Sequence, residues 1–280
     1  MAGRYGLDHD AMRTAARERK TDEAFRCAAA GKFSRFAKES GQDVRKMETR
    51  PHGKLDAIEA AWIKAGPCTD FFVRMTEARE YLNDCISILP GNKFSRRDVL
   101  EFCVRLAAHQ EEVGFKNKAG LFLTALINKG RCKRYDVVTS HLAMGINYFG
   151  FYNKKTIFVH GDLGDKCGLH MEGGSITVDG DVGNDAGGCM RKSSLYVAGN
   201  AGNGLGWYLE TSRIEVLGNA GSNCGMMMFS GRILVRGDVQ KNCGIQMSGG
   251  DISVDGDIKS ISSDITRGAI YHKGKLIIDK

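Results

Sequence analysis

The side chains of this 280-residue chain whose types and spacing could do chemistry are few, and His170 with Cys189 is the pair that stands out. A histidine beside a cysteine lowers the thiol pKa, which makes a nucleophile or half of a metal site. Residues nineteen positions apart meet only if the chain repeats at that period, and the same offset reads His170, Cys189, Tyr208, Met227 and Gln246. No third ligand and no orienting acid occurs in that column, so the competing reading is a pair covered by another element and merely interfacial. The phosphate loop G-x-x-x-x-G-K-S, the nucleophile elbow G-x-S-x-G and the zinc motif H-E-x-x-H are all missing from the sequence. Gly202-Asn203-Gly204-Leu205-Gly206 comes near a dinucleotide fingerprint, but no helix is expected after it. Asp162, Asp181, Asn200, Asn219, Asp238 and Asp257 form a column that invites a calcium reading. Two of its members are neutral, and the turn chemistry of Asp and Asn accounts for it without an ion. The expectation is no cofactor and no metal, with His170 and Cys189 the only catalytic candidates.

What would position these residues is a repeat of nineteen. Gly161, Gly180, Gly199, Gly218, Gly237 and Gly256 each precede one of those Asp or Asn residues. A second glycine follows seven residues on, in Gly168, Gly187, Gly206, Gly225 and Gly244, and three further comes Met171, Met190, Leu209, Met228 or Met247. Each repeat closes on a pair such as Ile176 and Val178 or Ile252 and Val254, the two-residue period of a strand with one buried face. Gly-Asp supplies a residue tolerant of positive φ and one able to bond its own backbone. A single rung cannot bury its apolar face, so equivalent positions must stack about 4.8 Å apart as a parallel β-helix. Its interior ladders are Ile or Leu, Val, Met, and a column of Cys167, Ala186, Leu205, Cys224 and Cys243. Ile157 and Val159 extend the stack at its start, and Leu276 and Ile278 at its end, after an insertion.

At these residues the chain resembles the GXGXG-domain β-helix family, shared by the β-helical subunit of formylmethanofuran dehydrogenase and the C-terminal domain of the glutamate synthase large subunit. Gly161-Asp162-Leu163-Gly164, Gly168 to Met171 and Gly173 to Gly180 carry the pattern, and the resemblance covers residues 157–278 only. Gln240 and Lys259 replace one of its glycines, and Ser193 and Ser212 another. The resemblance implies a right-handed coil that serves as a structural module of an oxidoreductase complex, with the chemistry done by neighbouring subunits.

The remainder is expected to be helical. The fold class is therefore α+β in two domains, an N-terminal all-α bundle followed by a right-handed parallel β-helix with 19-residue rungs. Residues 1–54 read as a basic helical arm, ordered by a partner or simply solvated, with Phe25, Ala28, Ala29, Phe33 and Phe36 as a weak stripe. Residues 55–134 read as a small bundle, in which Leu55, Ile58, Ala61 and Trp62 share a face, as do Phe71, Phe72, Met75, Ala78, Leu82, Cys85 and Ile86. Ser95 and Asp98 look like a capping box, with Phe94 and Val99 as its staple. Residues 135–156 read as a connector whose Tyr148, Phe149, Phe151 and Tyr152 plug the open end of the β-helix at 157–280.

The formal charge of +7 lies entirely in the first half: residues 1–150 hold 26 basic and 19 acidic groups, and 151–280 hold 14 of each. That falls short of a nucleic-acid stripe and points instead to an acidic protein surface as partner of the N-terminal half. Nine cysteines without a Cys-x-x-Cys, no signal-like start and no long apolar run give the expectation of a cytoplasmic protein without a membrane span. Two functions of different class follow: a non-catalytic assembly subunit of a larger enzyme complex, bound to other protein subunits, or a stand-alone hydrolase or thiol-dependent enzyme on an outer face of the β-helix.

Overall fold

The computed structural model describes residues 53–69, 75–91 and 94–280. The arm expected at 1–54, apart from its last two residues, and the stripe residues Phe71 and Phe72 lie outside the described residues. Among the described residues four α-helices come first: α1 Gly53–Lys64, α2 Met75–Ile88, α3 Arg96–Arg105 and α4 Phe115–Lys129, with a 3₁₀ turn Leu106–His109 after α3. The capping box is formed, since the Ser95 hydroxyl accepts from the Asp98 N–H and the Asp98 carboxylate accepts from the Ser95 N–H. Phe94 and Val99 are both buried.

Nine strands follow: β1 Arg134–Val138, β2 Thr156–His160, β3 Ser175–Val178, β4 Ser194–Val197, β5 Ser212–Val216, β6 Gly231–Val235, β7 Ser248–Val254, β8 Arg267–His272 and β9 Lys275–Asp279. They stack in chain order, parallel from β1 to β8. The register runs Ile157, Ile176, Leu195, Ile214, Ile233, Ile252, so the nineteen-residue period is the rung of a parallel β-solenoid. Burial alternates along these strands, and the Ile, Val, Met and Cys ladders are all inside. A further ladder, Val182, Ala201, Ala220 and Val239, closes the coil along another line of parallel bridges.

The Gly-Asx corner works differently from the expected self-bonded turn. The Asp162 side chain accepts the N–H of Asp181 on the next rung at 2.8 Å, and the relay continues through Asn200, Asn219, Asp238 and Asp257 at 2.6 to 2.9 Å. A second relay runs from Asp165 through Asn184 and Asn203 to Ser222. Apart from Gly161, which has φ 117°, the glycines before the first relay are there for close approach rather than for positive φ. A Cβ on Gly199 would sit 2.2 Å from Asp181 Oδ1 and 2.7 Å from the Gly180 carbonyl oxygen. Ser193 and Ser212, where the family pattern has glycine, do similar work at another corner. The Ser193 hydroxyl accepts from the Gly173 N–H and the Ser212 hydroxyl from the Ser193 N–H.

Three expectations are corrected. The connector at 135–156 is itself a rung: β1 pairs in parallel with β2, and Tyr148, Gly150 and Tyr152 share the left-handed backbone of Lys166, Gly168 and His170. Its longer spacing, Tyr135 to Ile157, hides it from a nineteen-residue search. Leu276 and Ile278 do not continue the coil, because β9 returns antiparallel on β8 and Ile270 holds the ladder position opposite Ile252. The helices are not a separate bundle, since one hydrophobic core runs from Leu55 through α4 into the last rung. Helix α4 lies so close to the first rung that a Cβ on Gly120 would meet the Asn147 carbonyl oxygen. The Thr124 hydroxyl accepts the Gly150 N–H at 2.8 Å there. The helices, not the aromatic stretch, cover this end of the sheet.

Gly199→Ala should cost about 1–3 kcal/mol because backbone and a relay oxygen must both shift, whereas Gly53→Ala, with nothing within 4 Å of its Cβ, should cost nothing. Thermal melts of the two variants make the comparison, and equal melting temperatures would remove the relay as the reason for the glycine. Met247→Asp places a carboxylate at a fully buried position, a loss of several kcal/mol, and should leave no cooperative melt.

Candidate functional site

Both candidates of the sequence, His170 and Cys189, occupy a left-handed corner at φ 54° and 52°. Their N–H groups donate forward to the Gly188 and Trp207 carbonyls of the next rung at 2.9 and 2.8 Å, so the offset is set by backbone bonding and the side chains point away from the core. No hydrogen bond joins the two among the described residues. The His170 ring stacks on Tyr152 at 5.2 Å with planes 8° apart, and its Nε2 lies 3.0 Å from Met75 Sδ. Arg79 of α2 sits over the Tyr152 ring at 4.9 Å. Burial under this helix lowers the His170 pKa, and burial pushes the Cys189 thiol up to about 11. A thiol protonated at neutral pH is a poor nucleophile, and the His170 ring is engaged by Tyr152 and Met75 instead of by Cys189.

Beyond Cys189 the same column opens to solvent. Tyr208 is 37% and Phe229 53% exposed. Their rings lie 5.7 Å apart, and Trp207 meets Tyr208 edge-on at 5.3 Å. The Trp207 ring covers Gly188, where a Cβ would strike its Nε1, and that buried N–H has no hydrogen-bond partner among the described residues. Met226 and Met227 are half-buried beside them. An aromatic and methionine cluster of this kind on a rigid face is what the core of a protein interface is made of. Arg191 and Glu210, paired at 2.6 Å, border it.

Sequence reasoning missed a cluster among the helices. His109 places Nε2 2.5 Å from Glu59 Oε1 and Nδ1 2.5 Å from Glu112 Oε1. Glu112 also accepts from Lys118 Nζ at 2.9 Å and from Trp62 Nε1 at 3.1 Å. Lys118, 3% exposed, lies 4.1 Å over the Trp62 ring. Glu59 Oε2 has no hydrogen bond and leans on Arg105 at 3.7 Å. Burial alone would raise the Glu112 carboxyl, but bonds from Lys118, Trp62 and His109 outweigh it and hold the group below its usual range. Close by, burial pushes the Cys85 thiol up to about 12 and the Tyr81 phenol higher still. With both imidazole nitrogens engaged and the nearby thiol and phenol kept protonated, the cluster is built to hold α1, the 3₁₀ turn and α4 together rather than to attack a substrate. The pairs that join α1 to the rest, Glu59 with His109 and Trp62 with Glu112, are fifty residues apart, so no local spacing announces them.

Every cysteine among the described residues is a free thiol. No group of three or more His, Cys, Asp or Glu side chains among them is placed to hold a metal ion, and no helix among them is long and apolar enough to cross a membrane. No family model matches the chain, and no curated protein matches it either.

Glu112→Gln should destabilise the protein by about 2 kcal/mol at neutral pH. That is less than the 3–5 kcal/mol of a fully buried broken pair, because the Glu112 side chain is 37% exposed. The Glu112 pKa is depressed, so its contribution is present above the ordinary carboxylate pKa of about 4.3 and lost as pH falls through the lower folded value. Urea melts of wild type and variant should therefore converge in acid, and a gap independent of pH would count against the charge network.

Proposed function

We propose that this protein is a non-catalytic assembly subunit of a larger multi-subunit enzyme complex, similar to the β-helical subunit of formylmethanofuran dehydrogenase or the GXGXG domain of glutamate synthase, with its coil wound right-handed. The observation that carries the reading is the cluster on the solenoid wall in which exposed Tyr208 and Phe229 sit among half-buried Trp207, Met226 and Met227. Such residues combine large contact area with little rotamer entropy to lose, and they dominate binding energy where they occur. A solenoid face presents them without the cost of ordering a loop. The resemblance supports the same reading, because family members of this kind hold other subunits in place. The thiol of Cys189, raised by burial, speaks against a thiol-dependent enzyme at this face.

Size-exclusion chromatography of the protein from its native cell tests the proposal. Wild-type chain should elute with larger partners, and the double variant Tyr208→Ser with Phe229→Ser should elute near its own mass with an unchanged melting temperature, since both rings are exposed. A wild-type chain that elutes alone and turns over a substrate by itself would overturn it.

A further inference from the structure

On the other side of the ridge formed by Arg191, Glu210 and Phe229, an open groove of about 670 Å³ crosses successive rungs. Its cations are Lys192, Arg213 and Arg232, and its only carboxylate is Asp251. The register places Arg213 directly beside Arg232, about 4.8 Å apart by strand spacing, an adjacency of like charge that destabilises the free protein. Each guanidinium spends one nitrogen on a carboxylate, Arg213 on Glu215 at 3.2 Å and Arg232 on Asp251 at 3.3 Å, which leaves further donors of each fork for a ligand. Lys192 is exposed and pairs with no carboxylate among the described residues. Ser194, Thr211 and Ser230 line the floor and sides with hydroxyls.

A second, independent observation concerns the backbone. Lys192 and Thr211 sit at φ 50° and 47°, where the rung before them has Gly173 at φ 89°. Left-handed backbone costs a side-chain-bearing residue about 1–2 kcal/mol, and a β-branched threonine is a genuine outlier there. Glycine would remove the strain, so the two side chains are held in the groove against a local penalty, one that other corners of the solenoid such as His170 and Tyr208 also carry.

We propose that this groove binds an extended acidic peptide, a partner segment whose Asp or Glu carboxylates lie across the rungs of Lys192, Arg213 and Arg232. Arginine forks match carboxylates in a two-point geometry. The three cations are strung over about 10 Å of the solenoid axis instead of converging on one point, which suits several carboxylates in line better than a single phosphate. No aromatic side chain lines the groove to stack a base, and three cations are few for a nucleic-acid track. The inference rests on the assembly reading above and names the partner's chemistry. It moves the acidic-partner site expected of the N-terminal half onto the solenoid.

Fluorescence anisotropy with a labelled hexaglutamate peptide tests it on the full chain, with labelled hexaserine, inorganic phosphate and a six-nucleotide oligo-dT as comparators. Hexaglutamate should bind, salt should weaken it, and hexaserine should not bind. The double variant Lys192→Ser with Arg232→Ser should weaken hexaglutamate binding about tenfold or more with no loss of melting temperature. The Tyr208→Ser, Phe229→Ser variant should bind the peptide as wild type does, so loss of the assembly role and loss of the acidic-peptide site are read separately. Equal binding by wild type and the groove variant, tighter binding of oligo-dT or phosphate than of hexaglutamate, or no binding at about 1 mM peptide would each overturn the proposal.

Discussion

Each rung hands its neighbour a side-chain oxygen, and the rest of the solenoid is arranged so that this transfer can occur. Asp162 receives the N–H of Asp181, and Asp181 receives that of Asn200. At this exposed corner the backbone N–H is not bonded to a neighbouring strand, and the side-chain oxygen takes it instead, a net gain of about 0.5–1.5 kcal/mol per bond. The relay satisfies it every nineteen residues. It also fixes the period, because an insertion within a rung would move the Asx oxygen off the amide it serves. It demands glycine one residue earlier as well, for there the two rungs touch backbone to backbone.

A stack of this kind grows by adding equivalent rungs, and its two ends need different treatment from its middle. At the start the helices supply the cover. Gly120 lets α4 touch the Asn147 carbonyl, and Asn147 in turn bonds Asn117 on the helix and receives the Asp165 N–H of the next rung. The charge cluster of Glu59, His109, Glu112 and Lys118 then ties α1 and the 3₁₀ turn to α4 behind that contact. At the far end the chain reverses, and β9 pairs antiparallel with a bulge between Ile270 and Tyr271, a feature that disfavours further parallel stacking. Fold and termination are thus solved by separate devices around one core.

The outer walls are free of the constraints that govern the inside, and there the rungs differ most. The column of His170 and Cys189 passes from His170 under α2 to exposed Tyr208 without any change in backbone, since both sit at the same left-handed φ. The corner after it exchanges Gly173 for Lys192 and Thr211 at a cost in strain. An aromatic wall and a cationic groove thus lie on either side of one ridge, on rungs whose interiors are alike.

The nineteen-residue rung, the parallel stacking and the identity of the Ile, Val, Met and Cys ladders were legible in the sequence, because period and burial in a solenoid are local properties repeated many times. The capping box at Ser95 was legible for the same reason, being complete within four residues. The sequence also named the Asx column, but the acceptor's true donor lies one rung away, so only stacking revealed that Asp181 serves Asn200 and not itself. The rung hidden in 135–156 and the reversal at β9 depend on pairings whose spacing departs from the period. The charge cluster of the helices joins residues about fifty positions apart, and the groove of Lys192, Arg213 and Arg232 exists only when three rungs lie side by side. Those features belong to the tertiary structure, because contacts such as Glu59 with His109, Trp62 with Glu112 and Arg213 beside Arg232 join residues that no short stretch of chain contains together.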